Sequence, residues 1–185
     1  MKPTLASIIT NKSIPTDKND WHSYCDWFYE AEFARYRDKP IQLVEIGVLS
    51  GGSMYLWAEY FSQAKILGLD YQIHQDIPSI LPYPNINLLV GNAYSETTLN
   101  YVPPMDILID DGPHTLDTQI YTLQNLLPKV RPGGICVIED VQDVSWFEPL
   151  SNAVPSHLAE FTQCIDLRHL KNRYDDLLFV VRVPE

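Results

Sequence analysis

Five short apolar runs at near-regular intervals constrain this chain more than any other feature. They are Ile41 to Ile46, Lys65 to Leu69, Ile86 to Val90, Met105 to Ile109 and Gly134 to Ile138. Each is continuous rather than alternating, the pattern of a strand buried on both faces of a parallel sheet. Helical periodicity lies between several of them. Leu116, Ile120, Leu123, Leu127 and Val130 recur at spacings of 4, 3, 4 and 3, one face of a helix. Met54, Trp57, Ala58 and Phe61 form a shorter stripe of the same kind. Strands alternating with helices predict βαβ units and an α/β layered fold.

The flanks differ from the middle. Asp20 to Arg37 carries Trp21, Tyr24, Trp27, Phe28, Tyr29, Phe33 and Tyr36 and predicts a helix whose rings pack on the sheet. Near the other end, Gln163 to Leu167 and Leu177 to Val183 read as strands joined by His169 to Asp176. That connection is too short for a crossover helix, so the pair is antiparallel. Pro78 to Pro84 reads as a loop, and Ile77, Ile80 and Leu81 beside and within it could cover an apolar surface. With 185 residues, 45% of them hydrophobic, residues 1–185 predict a single domain with a full core. Residues 1–37 form its N-terminal segment and helix, placed as a lid.

Charge and cysteine usage narrow the partners. Thirteen Lys and Arg against twenty-four Asp and Glu give −11, which disfavours nucleic acid and anionic membrane surfaces. Cys25, Cys136 and Cys164 are odd in number and far apart, so they predict small buried thiols in a reducing compartment. Neither a signal-peptide-length apolar stretch nor a run of the ~18 residues that span a membrane is present. The expectation is a cytoplasmic protein.

The glycines are the sharpest clue, because almost all sit at or beside predicted strand ends, where ligands of open α/β sheets bind. The first strand runs into Glu45-Ile46-Gly47-Val48-Leu49-Ser50-Gly51-Gly52-Ser53. This is not G-x-G-x-x-G, so the nicotinamide fingerprint fails. The spacing suits a cofactor without a pyrophosphate, passing an amino acid and a nucleoside over the backbone. Asp70 closes the second strand 23 residues after Gly47, where a carboxylate can accept both ribose hydroxyls. Gly91-Asn92-Ala93 closes the third, where an amide can read an adenine edge. This ordered set resembles the class I S-adenosylmethionine-dependent methyltransferases. The resemblance implies a three-layer Rossmann-like fold, with a mostly parallel seven-stranded sheet ending in an antiparallel hairpin.

A carboxylate cluster lies beyond the next two strands, at Asp110-Asp111-Gly112-Pro113-His114 and Glu139-Asp140. If those strands are neighbours, Asp111, Glu139 and Asp140 converge beside the cofactor pocket. Three carboxylates cannot share a pocket uncompensated. A hard divalent cation such as Mg²⁺ resolves the repulsion. The competing reading has Asp110 and Asp111 capping a helix and Glu139 and Asp140 solvated. Asp110 takes a supporting place on the cofactor side, because side chains alternate along a strand. His114, at a predicted helix start, is expected to stay neutral and base-competent there; the alternative is an exposed capping residue. His22, His74, His157 and His169 carry no assigned function, with His22 the least secure of the four.

Here the resemblance narrows. Asp-Asp-Gly-Pro-His, then Pro132-Gly133-Gly134 and Ile138-Glu139-Asp140, resembles the macrocin and mycinamicin sugar O-methyltransferase family. So do Thr16-Asp17-Lys18 with His22 and Tyr24, Gly51-Gly52-Ser53, Trp57 and Tyr60-Phe61, and the likeness covers about residues 14–183. It implies metal ligands at Asp111, Glu139 and Asp140, a base at His114, and Asp111 acting with it in catalysis. Cofactor contacts are assigned to Thr16, Lys18, Glu45, Gly47, Gly51, Ser53, Asp70, Asn92 and Asp110. Lys18 would pair with the cofactor's carboxylate or form a surface salt bridge. Pro113 replaces a usual Ser, and Asn92 stands where many members carry Asp. The extra N-terminal domain and long substrate loops of the antibiotic-sugar enzymes are missing, so the substrate differs or an oligomer neighbour completes the pocket. Some relatives have been labelled hydroxylases, but no 2-His-1-carboxylate iron pattern is evident. The expected function is Mg²⁺-assisted, S-adenosylmethionine-dependent O-methyl transfer to a small-molecule hydroxyl, such as one on a sugar. A catechol-type O-methyltransferase and a non-catalytic S-adenosylmethionine-binding module remain the alternatives.

Overall fold

Each of the five apolar runs forms a strand of one sheet; the central ones are buried on both faces as expected, whereas Ile86–Val90 lies at an edge and leaves Asn87 and Val90 exposed. In this computed structural model, which describes residues 2–72 and 83–185, they are β1 (Gln42–Ile46), β2 (Lys65–Asp70), β3 (Ile86–Val90), β4 (Met105–Asp110) and β5 (Val130–Ile138). β6 (Thr162–Asp166) and β7 (Leu177–Arg182) complete a seven-stranded sheet of order β3-β2-β1-β4-β5-β7-β6. The first five strands pair in parallel. β7 runs antiparallel to both β5 and β6, with Cys164 opposite Phe179, and a four-residue helix (Arg168–Lys171) lies in the connection.

Adjacent residues of a strand serve opposite layers. Leu43, Ile107, Ile109, Ile135 and Val137 enter one core, shared with Tyr24, Phe28, Tyr29, Phe33 and Trp57. Val44, Ile46, Leu108, Cys136 and Ile138 enter the other, shared with Leu123, Leu126 and Leu150. The helices of the first layer are α1 (Leu5–Lys12), the helical run through Cys25–Tyr29 and Glu30–Phe33, and α2 (Gly52–Tyr60). α3 (Leu116–Asn125) and α4 (Phe147–Ala153) cover the second face.

Several expectations shift. The aromatic helix begins at Tyr24 rather than Asp20, and its rings divide: Tyr24, Phe28, Tyr29, Phe33 and Tyr36 are buried, whereas Trp21 and Trp27 are exposed. The helical stripe from Leu116 ends at Asn125. Pro128 at the start of a 3₁₀ turn breaks it, and Val130 opens β5 instead. α1 was not legible in the sequence; Thr4 caps it and Leu5, Ile8 and Ile9 bury its inner side. Cys25 and Cys136 are buried as expected, but Cys164 is exposed, because β6 is an edge strand. Ile77, Ile80, Leu81 and His74 lie outside the described residues.

One polar contact crosses the first core. The Trp57 indole N–H donates to Glu45 Oε2 at 2.6 Å, with both residues fully buried. Trp57→Phe keeps most of the ring volume but leaves a buried carboxyl oxygen unpaired. It should lower unfolding stability in urea by roughly 1–3 kcal/mol. A loss under about 0.5 kcal/mol would show that this bond contributes nothing net.

Candidate active site

The sheet ladder continues one residue past the strand ends. Gly47 N–H donates to Leu69 O, Asp111 N–H to Ile46 O and Glu139 N–H to Asp110 O. The register Ile46↔Asp110 and Asp110↔Ile138 therefore places Gly47, Asp111 and Glu139 side by side. Gly47 has φ +87°, and a Cβ there would sit 1.9 Å from the Asp111 carbonyl oxygen. Only glycine permits this approach. Strain gathers nearby, for Leu49, His114 and Asp140 all hold positive φ without being glycine.

Beyond these ends opens a cavity of about 740 Å³, within the range of small-molecule and cofactor sites. Of the sequence-predicted residues, Thr16, Gly47, Ser53, Asp70, Asn92, Asp111 and His114 line it, beside Leu49, Tyr71 and Tyr94. Asp70 Oδ2 accepts from the Val48 and Leu49 amides at 2.9 and 3.1 Å, fixing the glycine loop. Asn92 Oδ1 accepts from the Tyr94 amide, which leaves its own NH₂ as a donor. Gly51, at φ +85°, caps α2 without reaching the cavity. The N-terminal segment forms part of the wall. Thr16 and Asp17 line the cavity, and the Pro15 carbonyl lies so close to Gly52 that a Cβ there would be 1.9 Å away.

Lys18 is neither in the cavity nor on the surface, and this corrects both readings of it. It is 1% exposed. Its ammonium donates to Asp111 Oδ2 and Glu139 Oε2, each at 2.7 Å, and lies 3.2 Å from Glu45 Oε1. Burial opposes its charge, but the Asp111, Glu139 and Glu45 carboxylates outweigh that and hold its pKa well above the ordinary lysine value. Glu45 likewise does not reach the cavity; burial pushes its carboxyl up to about 7, against the pull of Lys18.

Glu139 has both oxygens engaged, accepting from the Tyr29 hydroxyl and from Lys18. Burial raises its pKa. Asp110 sits behind the cavity, accepting from Tyr94, Thr122 and the Gly112 amide, and burial lifts it to about 6. His114 Nε2 lies 3.9 Å from Asp111 Oδ1 and 3.8 Å from Asp140 Oδ2. Thr115, not His114, caps α3.

A model of the methyltransferase domain matches residues 44–141, just over half of the chain. The chain belongs to this methyltransferase domain family. It is 31% identical over 145 residues to the 8-demethyl-8-alpha-L-rhamnosyl tetracenomycin-C 2'-O-methyltransferase of Streptomyces olivaceus, covering 71% of this chain and 36% of that protein. It is 29% identical over 159 residues to the mycinamicin VI 2''-O-methyltransferase of Micromonospora griseorubida, covering 78% of this chain and 38% of that protein. The chain thus spans little more than a third of the length of these curated relatives. Its fold superposes on the MycE methyltransferase of the mycinamycin biosynthetic pathway, solved in complex with Mg, SAH and mycinamycin VI. The TM-score is 0.75 at 22% identity, covering all of this chain and 54% of that one. Aeropyrum pernix fibrillarin with bound S-adenosyl-L-methionine gives a TM-score of 0.61 at 14% identity, over 79% of this chain and 68% of that one. The domain therefore has the class I methyltransferase fold.

Whether the donor set of this methyltransferase domain fits a divalent cation is decided by its free oxygens. Asp111, His114 and Asp140 each bring a donor atom within 4.8 Å of the others. They fit a cation held by Asp111 and Asp140. Glu139, expected as the third ligand, is committed to Tyr29 and Lys18, so here it positions the ammonium rather than facing the cavity. Sequence reasoning also missed the phenols. Tyr24 and Tyr29 read as packing rings, yet their hydroxyls bond Asp140 and Glu139. Tyr24 is marked by its place in the family motif, whereas nothing in the sequence sets Tyr29 apart from the packing rings around it.

Breaking a buried ion pair by removing one partner strands the other charge, at a cost of roughly 3–5 kcal/mol. Lys18→Met should therefore destabilise the domain by about that much in denaturant unfolding, while the near-isosteric Asp17→Asn, exposed on the cavity wall, should leave it unchanged within about 0.5 kcal/mol. Equal stability of Lys18→Met and wild type would contradict the ammonium's role.

Proposed function

We propose that the cavity binds S-adenosylmethionine and that the domain transfers its methyl group to a hydroxyl of a small molecule, of the sugar type in the names of the relatives. The observation that carries the reading is the adjacency of two unlike regions: a cavity walled by the Gly47 loop, Asp70 and Asn92, and the Asp111–His114–Asp140 group at its edge.

Asp70 is assigned the ribose. Its Oδ2 is already held by two loop amides, so the carboxylate is oriented before any ligand arrives, and Oδ1, which accepts from the Gln72 amide, keeps a lone pair for a ribose hydroxyl. Asn92 offers its NH₂ to a base edge. Thr16 and Ser53 line the same cavity and supply hydroxyls. Gly47 and Gly51 keep the loop low enough for close approach.

Bound S-adenosylmethionine would supply an activated methyl, and Mg²⁺ would supply a Lewis acid for the acceptor oxygen. Asp111 and Asp140 are the carboxylates that would hold the cation. His114 Nε2, which lies at the edge of the cavity 3.9 and 3.8 Å from the Asp111 and Asp140 carboxylates, is assigned to take the proton of the acceptor hydroxyl. Glu139 and Lys18 fix Asp111 from behind. Asp110, bonded three times, anchors the turn that carries Asp111 and His114.

Calorimetric titration with S-adenosylhomocysteine tests the cavity. Wild type should bind, and Asp70→Ala should bind roughly 5–150-fold more weakly, the equivalent of ~1–3 kcal/mol for hydrogen bonds to a charged group. Unchanged affinity in that variant would remove Asp70 from the cofactor site. Methyl transfer from labelled S-adenosylmethionine to a panel of rhamnosyl and other sugar acceptors tests the chemistry. His114→Ala should retain cofactor binding and lose roughly 10²–10⁴-fold in rate, and a full-rate variant would exclude it as the base.

A further inference from the structure

Trp21 and Tyr174 are 63% and 64% exposed beside the carboxylate edge, and the reaction described above makes no use of them. Single exposed rings are common and need no explanation. These two differ in being fastened. The Lys171 ammonium donates to the carbonyls of Asn19, Asp20 and His22 and so fixes the chain on both sides of Trp21. The Arg173 guanidinium lies 5.2 Å from the Trp21 ring centroid, and Asp175 holds that guanidinium at two points, 3.1 and 2.9 Å long. The Tyr174 hydroxyl donates to Gln142 Oε1 at 3.1 Å. Trp27 is exposed to the same degree, yet among the described residues no cation stacks on it.

Both rings stand outside the cavity but close to the groups assigned to the acceptor hydroxyl. Gln142, which holds Tyr174, donates its amide N–H to the Asp140 carbonyl. The Tyr24 hydroxyl lies between Asp140 Oδ1 and the Asp175 carbonyl, at 2.6 and 3.2 Å, and so ties the turn that carries Arg173 and Tyr174 to the same carboxylate. Trp21 ends the helical turn Asp17–Asp20, whose Asp17 lines the cavity. An acceptor hydroxyl has to reach His114 and Asp140 at the cavity edge. The rest of a glycosylated molecule then extends past that edge, over the surface that adjoins Asp140.

The chemistry of this surface selects its ligand. A cleft of about 540 Å³ continues it, lined by Asp166, Arg168, His169, Asn172, Arg173 and Tyr174. Its two guanidiniums are already matched, Arg168 by both oxygens of Asp166 and Arg173 by both of Asp175. Lys171 is committed to backbone carbonyls. A phosphate would have to break these pairs, so the surface suits a neutral ligand. Exposed rings flanked by amide, imidazole and phenol groups match a pyranose, whose C–H face lies on an aromatic ring while its hydroxyls bond the polar groups. An indole fixed in place beforehand removes an ordering cost from binding.

We propose that Trp21 and Tyr174 form an aromatic platform for a neutral pyranose of the methyl acceptor, and that it holds the sugar with a hydroxyl toward His114 and Asp140. The proposal rests on the reading of the domain as an O-methyltransferase of sugar hydroxyls and names the residues that recognise the acceptor. Arg173 and Lys171 are positioning residues, which act only by holding Trp21.

Methyl α-L-rhamnopyranoside is the probe, titrated into the full chain labelled with fluorotryptophan. The chain has four tryptophans, and Trp21→Phe and Trp27→Phe assign the two fluorine signals that matter. The Trp21 signal should shift saturably with sugar, and the Trp27 signal should stay still. Ligand-observed NMR should give at least about fivefold weaker sugar binding in Trp21→Ala, the loss expected of an aromatic anchor, and unchanged binding in Trp27→Ala. A Trp21 signal unmoved by sugar, or equal movement of Trp21 and Trp27, would overturn the proposal. So would a Trp21 signal that moves when the protein is concentrated without sugar, which assigns the rings to self-association. The titration uses neither cofactor nor turnover. Failure of S-adenosylhomocysteine to bind therefore counts against the proposed function, whereas a still Trp21 signal counts against the platform alone.

Discussion

The buried contact between the Lys18 ammonium and the Asp111 and Glu139 carboxylates governs the rest of the site. Parallel strands in register bring Asp111 and Glu139 side by side beyond the carboxyl ends of the central strands, with Glu45 further back along β1. Their mutual repulsion in a desolvated setting is severe. One ammonium at 2.7 Å from two of them relieves it. Such a group adds little stability relative to an apolar core, but it is costly to break. Its value is geometric: Asp111 is held with one oxygen toward Lys18 and the other toward His114.

That contact also explains the N-terminal segment. Lys18 can reach the carboxyl ends of these central strands only if the chain before it runs along the cavity. Pro15 then closes on Gly52, and Thr16 and Asp17 become wall residues. The segment expected as a lid forms part of the cavity wall, tied at Lys18 by two charged hydrogen bonds. The aromatic helix that follows carries Tyr24 and Tyr29 to the same carboxylates from the other side. Burial of the phenol heads beside carboxylates keeps both tyrosines protonated and donating.

What the sequence revealed and what it hid follow from the range of the interactions. The strands were legible because continuous apolar runs leave few alternatives, and the strand order gave the adjacency of Asp111, Glu139 and Asp140. Gly47, Asp70 and Asn92 were legible because each closes a strand. The partners of Lys18 were not, since they lie 93 and 121 residues away and nothing local marks them. Glu45 and Lys18 were placed at the cofactor for the same reason: spacing locates a residue near a site but does not say which way it points. α1 escaped because its apolar side is only Leu5, Ile8 and Ile9. Asp176, just before β7, read as the end of a connection, and only the structure shows that it is fully buried beside His22.

Under the proposed function, the site divides into a nucleoside-binding cavity and a carboxylate–histidine edge where the methyl transfer would take place. A crystal structure of the chain with S-adenosylhomocysteine and Mg²⁺ tests that division most directly. The account predicts the ribose on Asp70, the base beside Asn92, and a cation bonded to Asp111 and Asp140 with Lys18 still on Glu139. Cofactor bound away from Asp70, or a cation that displaces Lys18 from Glu139, would contradict it.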